Sequence, residues 1–250
     1  MKISVVTATL NRAATLERTM ESVLAQTYAD VEHIIVDGGS TDGSMDIVRR
    51  MEPLYGGRLR YVSEPDGGIY DALNKGIRMA TGDVVGILHS DDCFTAPDVL
   101  ERVAGAMADG GVEAVYGDVH YVRADNPQQC VRYYSASRFS RSHMLMGCMP
   151  PHPSFYCRRE VYGRFGGYRT DMRISADFEF LLRTLYVGRL RARYIPADFV
   201  TMRIGGASTS GLGSHWRILL DIYRSFAIHH LPAGYLLAPL RYPAKLLEYI

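Results

Sequence analysis

At 250 residues, 47% hydrophobic and 22% charged, the chain is long enough for one large domain that buries its core without disulfides or a structural metal. A formal net charge of +1 gives no bulk electrostatic reason to bind nucleic acid or another polyanion. Four cysteines, Cys93, Cys130, Cys148 and Cys157, stand far apart with no Cys-x-x-Cys pair; this argues against a zinc site or disulfide framework and makes a reducing cytoplasm the expected compartment.

Met-Lys runs straight into residues 3–6, a β-branched apolar stretch of the kind buried in a parallel sheet, so no signal peptide is expected. Leu16, Met20, Val23 and Leu24 recur at helical spacing and predict an amphipathic helix ending before Tyr28. Residues 33–36 read as a second strand, followed by the turn-rich Asp37-Gly38-Gly39-Ser40-Thr41-Asp42-Gly43. A short helix through Ile47 and Val48 leads to a third strand at 59–62. Ile69, Leu73, Ile77 and Ala80 mark the next helix, and 83–88 the next strand. Val99, Leu100, Val103 and Met107 give another helix, then 114–116 another strand. This alternation predicts an α/β fold with a mostly parallel sheet and helices on both faces. No run of about 18 apolar residues exists to span a membrane.

Beyond residue 118 the alternation stops. Residues 123–129 are polar and loop-like, and 147–153 are dense in Pro, Gly and Met. Phe178, Leu181, Leu182 and Leu185 define a helix beginning near Ser175 or Asp177, and another with Trp216, Leu219, Leu220 and Tyr223 follows Gly213. The organisation expected is one domain over 1–230, with halves 1–118 and 119–230, followed by an apolar tail, 231–250.

Ligands of open parallel sheets sit outside the carboxyl ends of the strands. Three such ends carry polar groups here: Thr7, Thr9 and Asn11; Asp37 with its glycine-rich loop; and His89-Ser90-Asp91-Asp92. Adjacent carboxylates ending a buried strand are costly unless neutralised, and hard oxygen ligands suit Mg²⁺ or Mn²⁺ with substrate phosphates. Alternatively, Asp91 or Asp92 caps the following helix near Ala96-Pro97-Asp98. The Asp37 loop can approach a ligand through its glycines, with Asp37 accepting from the N–H edge of a pyrimidine; equally, it is a plain turn N-capped by Asp42 or Ser44.

Residues 4–12 (Ser-Val-Val-Thr-Ala-Thr-Leu-Asn-Arg), 22–28 (Ser-Val-Leu-Ala-Gln-Thr-Tyr) and 36–43 together resemble the opening of family 2 glycosyltransferases. Residues 64–76 (Glu-Pro-Asp-Gly-Gly-Ile-Tyr-Asp-Ala-Leu-Asn-Lys-Gly) and 80–83 continue the resemblance in order, and Asp91-Asp92 falls where that family keeps its metal-binding acidic motif. The resemblance covers roughly residues 3 to 185. It implies a GT-A architecture, a Rossmann-like nucleotide-sugar-binding half fused to an acceptor-binding half, and inverting transfer from a nucleotide-sugar, UDP-sugar favoured, to a glycan or lipid-linked glycan. By it Thr7, Thr9, Asp37 and Asp66 line the nucleoside pocket with Asn11, Gly39 and Ser40. Asp92 is the main metal ligand, for Mn²⁺ or Mg²⁺, and Asp91 touches the donor. Asp71-Ala72 stands where many members carry Arg, which leaves Asp71 and Lys75 as candidates for the base and phosphate contacts.

Ile174-Ser175-Ala176-Asp177-Phe178-Glu179 resembles the family segment whose acid, here Asp177, is the catalytic base; otherwise Ser175 or Asp177 is an N-cap and Glu179 a first-turn acid. Residues 151–156 resemble a family strand in which a His, here His152, faces the cleft. Residues 203–208 resemble a late segment whose glycines suggest a mobile loop over the donor phosphates, with Arg203 as a phosphate partner. The Arg191 and Arg193 pair reads as a solvated face. The tail, broken by Pro232, Pro239 and Pro243, either lies in the membrane interface at the inner face of the plasma membrane, or packs on the protein or forms an oligomer contact. A nucleotidyltransferase could share the Rossmann-like half, but that class usually opens with a glycine-rich loop bearing a basic residue, whereas this chain opens Thr7-Ala8-Thr9-Leu10-Asn11-Arg12. Asp37, Asp91, Asp92 and Asp177 together argue against a non-catalytic binding module.

Overall fold

The computed structural model describes residues 1–123, 125–172, 174–204 and 212–241. β1 (Ile3–Thr9) is buried along its whole length because it lies between two parallel neighbours, β2 (Val31–Asp37) and β4 (Val84–Ile87). β3 (Leu59–Ser63) adds to β2, also in parallel. Both faces of this unit are covered, which is why its strands read as continuous apolar runs. Val5 and Ile35 point to one face, covered by α1 (Ala13–Leu24), α2 (Ser44–Met51) and α4 (Val99–Met107). Val6, Ile34 and Val36 point to the other, covered by α3 (Ile69–Met79) and, further along the sheet, α5 (Arg159–Phe165) and α6 (Ala176–Leu181).

From β4 onward the sheet becomes mixed. The strand order is β3-β2-β1-β4-β8-β6-β9-β5, with β5 (Cys93–Phe94), β6 (Ala114–Val122), β8 (Tyr156–Arg158) and β9 (Ala192–Arg203); β7 (Cys130–Tyr134) pairs with β6 off this path. β8 runs antiparallel to β4 and β6, β9 parallel to β6, and β5 antiparallel to β9. The expected α/β sheet with helices on both faces is present, and this second half extends it. The join is tight: Gly86 faces Tyr156, and a Cβ there would lie 2.0 Å from the Tyr156 ring. The Arg191–Arg193 segment, expected as a solvated face, leads into β9; Arg193 does remain half exposed, bonded to Asp109.

The amino ends of the strands are fixed by Glu32, only 3% exposed. Its carboxylate accepts from Ser4 Oγ, the Thr81 and Gly82 N–H groups, Thr81 Oγ1 and Lys2 Nζ. Burial alone would raise its pKa, but the Ser4, Thr81 and Lys2 hydrogen bonds outweigh burial and bring it down to about 2.

After β9, α7 (Leu212–Ile228) and α8 (Pro232–Leu237) close the described chain. The tail as far as Arg241 packs on the protein: Ala238 is fully buried, Gly234 abuts the Phe226 ring, and the Tyr223 and Tyr235 rings lie 5.6 Å apart. Residues 242–250 of the predicted tail lie outside the described residues, and no described helix is long and apolar enough to cross a membrane.

Candidate active site

The loops at the carboxyl ends of β1 and β2 are stitched together. Asp37 ends β2 opposite Thr9 and is fully buried. Its Oδ2 accepts from the N–H groups of Gly39 (3.1 Å) and Ser40 (3.0 Å) and from Ser63 Oγ (2.6 Å), and its Oδ1 accepts from Ser40 Oγ. Asn11, at φ 52°, donates its N–H to Ser40 Oγ and accepts from the Thr41 N–H at 2.9 Å. Asp42 accepts from the N–H groups of Ala13 and Ser44, so one carboxylate holds the first turns of α1 and α2. The loop is thus a self-bonded turn, but neither Asp42 nor Ser44 is the N-cap of α2: Gly43, φ 91°, takes that position without a side-chain cap. Asp66 folds over it: a Cβ on Gly38 would stand 2.6 Å from Asp66 Oδ2, while Asp66 Oδ1 accepts from the Gly68 N–H. Lys75 Nζ is bonded to Glu64, the Pro65 carbonyl and, at 3.7 Å, Asp71, whose Oδ2 accepts the Gly67 N–H. These two residues brace the 64–71 loop.

The acidic turn follows β4. The Leu88 N–H bonds to the Val6 carbonyl, the Leu88 carbonyl accepts from Thr7 Oγ1, and the Asp92 N–H closes a turn onto the His89 carbonyl. Thr7 is wholly buried, its hydroxyl also bonded to His33 Nε2, so it braces the turn from beneath and does not reach the cleft surface. Thr15 and Thr19 of α1 donate to the carbonyls of Ser90 and Asp92. Helix capping does not explain the acidic pair: the chain passes directly into β5, and Asp98 precedes α4. Asp91 is half-buried, whereas Asp92 is 2% exposed. Asp92 Oδ2 has no hydrogen-bond partner among the described residues, and neither do the nearby buried atoms Thr9 Oγ1 and His89 Nδ1. Burial, then the Asp91 charge, pushes the Asp92 pKa well up; the Arg203 N–H partly opposes this. Among the described residues no third His, Cys, Asp or Glu completes a cage. The donor set thus fits a hard cation whose remaining ligands come from substrate and solvent oxygens.

Asp177, in the first turn of α6, is half-buried; its Oδ1 accepts the Phe178 N–H at 2.8 Å and lies 3.3 Å from the Tyr70 hydroxyl. Ser175 makes no side-chain cap. Glu179, 1% exposed, is held by Arg183 (3.0 and 2.9 Å) and His229 (2.8 Å), a structural triad. His152, 5% exposed, bonds Tyr168 OH through Nε2 at 2.8 Å, and its ring lies 5.9 Å from that of His89. Burial, then His89, lowers its pKa to about 3, so it is a neutral imidazole. A chain of contacts now joins the two acidic sites: Asp177 to Tyr70, the Tyr70 ring to Tyr168 at 5.8 Å, Tyr168 to His152, and His152 to His89 in the acidic turn.

Residues 4–165 match the family profile described as Glycosyl transferase family 2. The chain belongs to that family. An uncharacterized glycosyltransferase of Mycobacterium tuberculosis is 36% identical over 217 residues, covering 85% of this chain and 77% of the relative. A PGL/p-HBAD biosynthesis glycosyltransferase of the same species is 34% identical over 193 residues, 77% of this chain and 73% of the relative. Among solved structures, the mannosyltransferase PcManGT from Pyrobaculum calidifontis, in complex with GDP-Man and Mn²⁺, superposes with a TM-score of 0.67 at 23% identity, over 97% of this chain and 80% of that one. S. aureus TarS 1-349 in complex with UDP-GlcNAc gives 0.67 at 16% identity over 90% of this chain, which spans only 66% of the TarS chain. These likenesses establish the GT-A fold, and the family makes this chain a glycosyltransferase.

In this family 2 glycosyltransferase, Thr9, Asn11, Gly39, Ser40, Asp66, Asp91, Asp92 and the end of β9 at Arg203 gather at the strands' carboxyl ends, with His152 buried beneath. Arg203 is half-buried beside Asp92; residues 205–208 of the predicted phosphate loop lie outside the described residues. Tyr70 and Tyr168 were not among the expected site residues, and His89 was expected only as a polar group on the rim. The signal of the two tyrosines is spatial: Tyr168 and Tyr70 stand 16 and 107 residues along the chain from His152 and Asp177, a separation that leaves no mark in a linear pattern.

Proposed function

We propose that the chain is an inverting, divalent-metal-dependent glycosyltransferase that moves a sugar from a nucleotide-diphosphate donor, UDP-sugar favoured, to a hydroxyl of a glycan or lipid-linked glycan. The observation that carries this reading is the pairing of a buried, unpartnered Asp92 oxygen with a half-buried Asp177, joined through Tyr70, Tyr168, His152 and His89. Asp92, with Asp91 beside it, would hold Mn²⁺ or Mg²⁺. Such an ion supplies charge neutralisation for the departing diphosphate. Asp177 accepts the acceptor hydroxyl's proton as that oxygen attacks the anomeric carbon opposite the leaving group. Asp91 and Asp66 contact the donor, Thr9 Oγ1 offers a buried polar group to it, and Arg203 faces its phosphates. Asp37 acts through the loop that it shapes, and a direct contact with the base uses the remaining acceptor capacity of its Oδ1. The Mn²⁺ and GDP-Man bound to PcManGT and the UDP-GlcNAc bound to TarS support the donor and metal classes. The PGL/p-HBAD biosynthesis relatives support a glycan or glycolipid acceptor.

The test is nucleotide release with Mn²⁺, a panel of nucleotide-sugars and a mixed glycan acceptor. Asp92→Asn and Asp177→Asn should each lower acceptor-dependent release by about a hundredfold or more. Asp177→Asn should still bind the donor. Release unchanged by either substitution would overturn the assignment.

Peripheral contact with the inner face of the plasma membrane is supported by a set of exposed side chains on α7, α8 and the turn after it. Trp216, Leu220, Tyr235, Leu236 and Leu240 are 63, 49, 42, 82 and 46% exposed, with Arg217 beside them. Because the tail is packed, the clean perturbation is Trp216→Ser with Leu236→Ser, not truncation. Vesicle co-sedimentation unchanged by the pair would remove membrane contact through this surface.

A further inference from the structure

Tyr70 stands in the first turn of α3, directly after the loop that carries Asp66, yet its hydroxyl reaches the second half of the chain. It bonds the Ile174 carbonyl and lies 3.3 Å from Asp177 Oδ1. The side chain is 7% exposed and rests on Tyr168. It also lines a cleft of about 530 Å³ between residues 67–71 and 170–172. Burial, then the Asp177 carboxylate, raises its pKa, so the phenol stays protonated.

A phenol has one hydrogen and can also accept. Here that hydrogen faces two acceptors, one neutral and one charged. We infer that Tyr70 is a positioning residue for Asp177, turning its single hydrogen between Asp177 Oδ1 and the Ile174 carbonyl as the base changes protonation state. This inference rests on the reading of Asp177 as the base. While Asp177 is ionised, the charged oxygen is the stronger acceptor and takes the phenol's hydrogen. Once Asp177 has received the acceptor hydroxyl's proton, the phenol donates to Ile174 and its oxygen can accept from the new carboxylic O–H. Neither state of the half-buried base then depends on water alone, and its orientation is tied to the 64–71 loop on the donor side.

Tyr70→Phe removes the hydroxyl and keeps the ring. In the full chain with donor, acceptor and Mn²⁺, the acid limb of the transfer pH profile should move up by about half to one pH unit, because the ionised base loses a donor. The kcat should fall by roughly three- to tenfold with donor KM within about twofold of wild type. Asp177→Asn and the double variant should be equally slow, because Tyr70 acts only through Asp177. An unshifted acid limb in Tyr70→Phe, with Asp177→Asn inactive, overturns the inference and leaves the base assignment standing; a lowered Tm with an unshifted limb does the same. Full transfer by Asp177→Asn is a different result, which overturns the base assignment and the Tyr70 role with it.

Discussion

Asp92→Asn should make the ligand-free protein more stable while removing its response to metal. The aspartate is 2% exposed, one of its oxygens is unpartnered among the described residues, and Asp91 lies beside it. Burial and the neighbouring charge raise its folded-state pKa above the unfolded value. A raised pKa means that the group's contribution to stability is fully present below the unfolded pKa and is lost as pH rises through the folded one. The asparagine does not ionise, so its advantage should grow with pH. A gain of about 1 kcal/mol at neutral to alkaline pH corresponds to a Tm rise of about 2–4 °C for a chain of this size. With ligand the order reverses. Mn²⁺ and a nucleoside diphosphate at about 100 times Kd should stabilise the wild type by about 2.7 kcal/mol through mass action, and the variant far less. Thermal unfolding at several pH values, with EDTA or with Mn²⁺ and UDP, reads both signs. A variant less stable than wild type in EDTA, or one that keeps the metal-dependent shift, would refute the reasoning.

Glu32→Gln should cost about 2–3 kcal/mol at pH 7, the span set by the drop in pKa from 4.5 to about 2 and by solvent screening near the 38% exposed Lys2. A depressed carboxylate pKa stabilises above its unfolded value, so denaturant titrations of wild type and variant should converge as pH falls from about 4.5 toward 2. Glu179→Gln breaks the buried triad with Arg183 and His229 and should lower stability by about 3 kcal/mol, while the folded fraction retains donor affinity in calorimetry. Gly38→Ala pushes Asp66 aside, since the new Cβ would meet its Oδ2 at 2.6 Å. Donor affinity should fall by roughly threefold to tenfold with Tm nearly constant, and unchanged affinity would remove Asp66 from the donor site.

The first half of the fold is legible because its strands are buried on both faces and its helices carry an apolar stripe. Val5, Val6, Ile34 and Ile35 must all be apolar, whichever face each serves. The second half follows other rules. β9 is twelve residues of mostly intermediate burial, interrupted by Pro196 and by register shifts, so no period of two survives in its sequence. β5 and β8, two and three residues long, are strands only because β9, β4 and β6 are there to pair with them.

The same distinction governs the candidate site. Thr7 and Thr9 sit two positions apart on one strand and carry the same hydroxyl, and both are buried. The first is satisfied by Leu88 and His33, whereas the second has no partner among the described residues. Asp37 and Asp92 differ likewise: Asp37 ends β2 with both carboxylate oxygens bonded to Gly39, Ser40 and Ser63, whereas Asp92, in the turn between β4 and β5, keeps one oxygen without a partner among the described residues. Residue type locates the rim but cannot say which polar atoms the protein itself has already satisfied. Because burying an unsatisfied carboxylate is costly, the bare Asp92 oxygen, more than the acidic pair as a sequence motif, favours a ligand at this turn over a purely structural role.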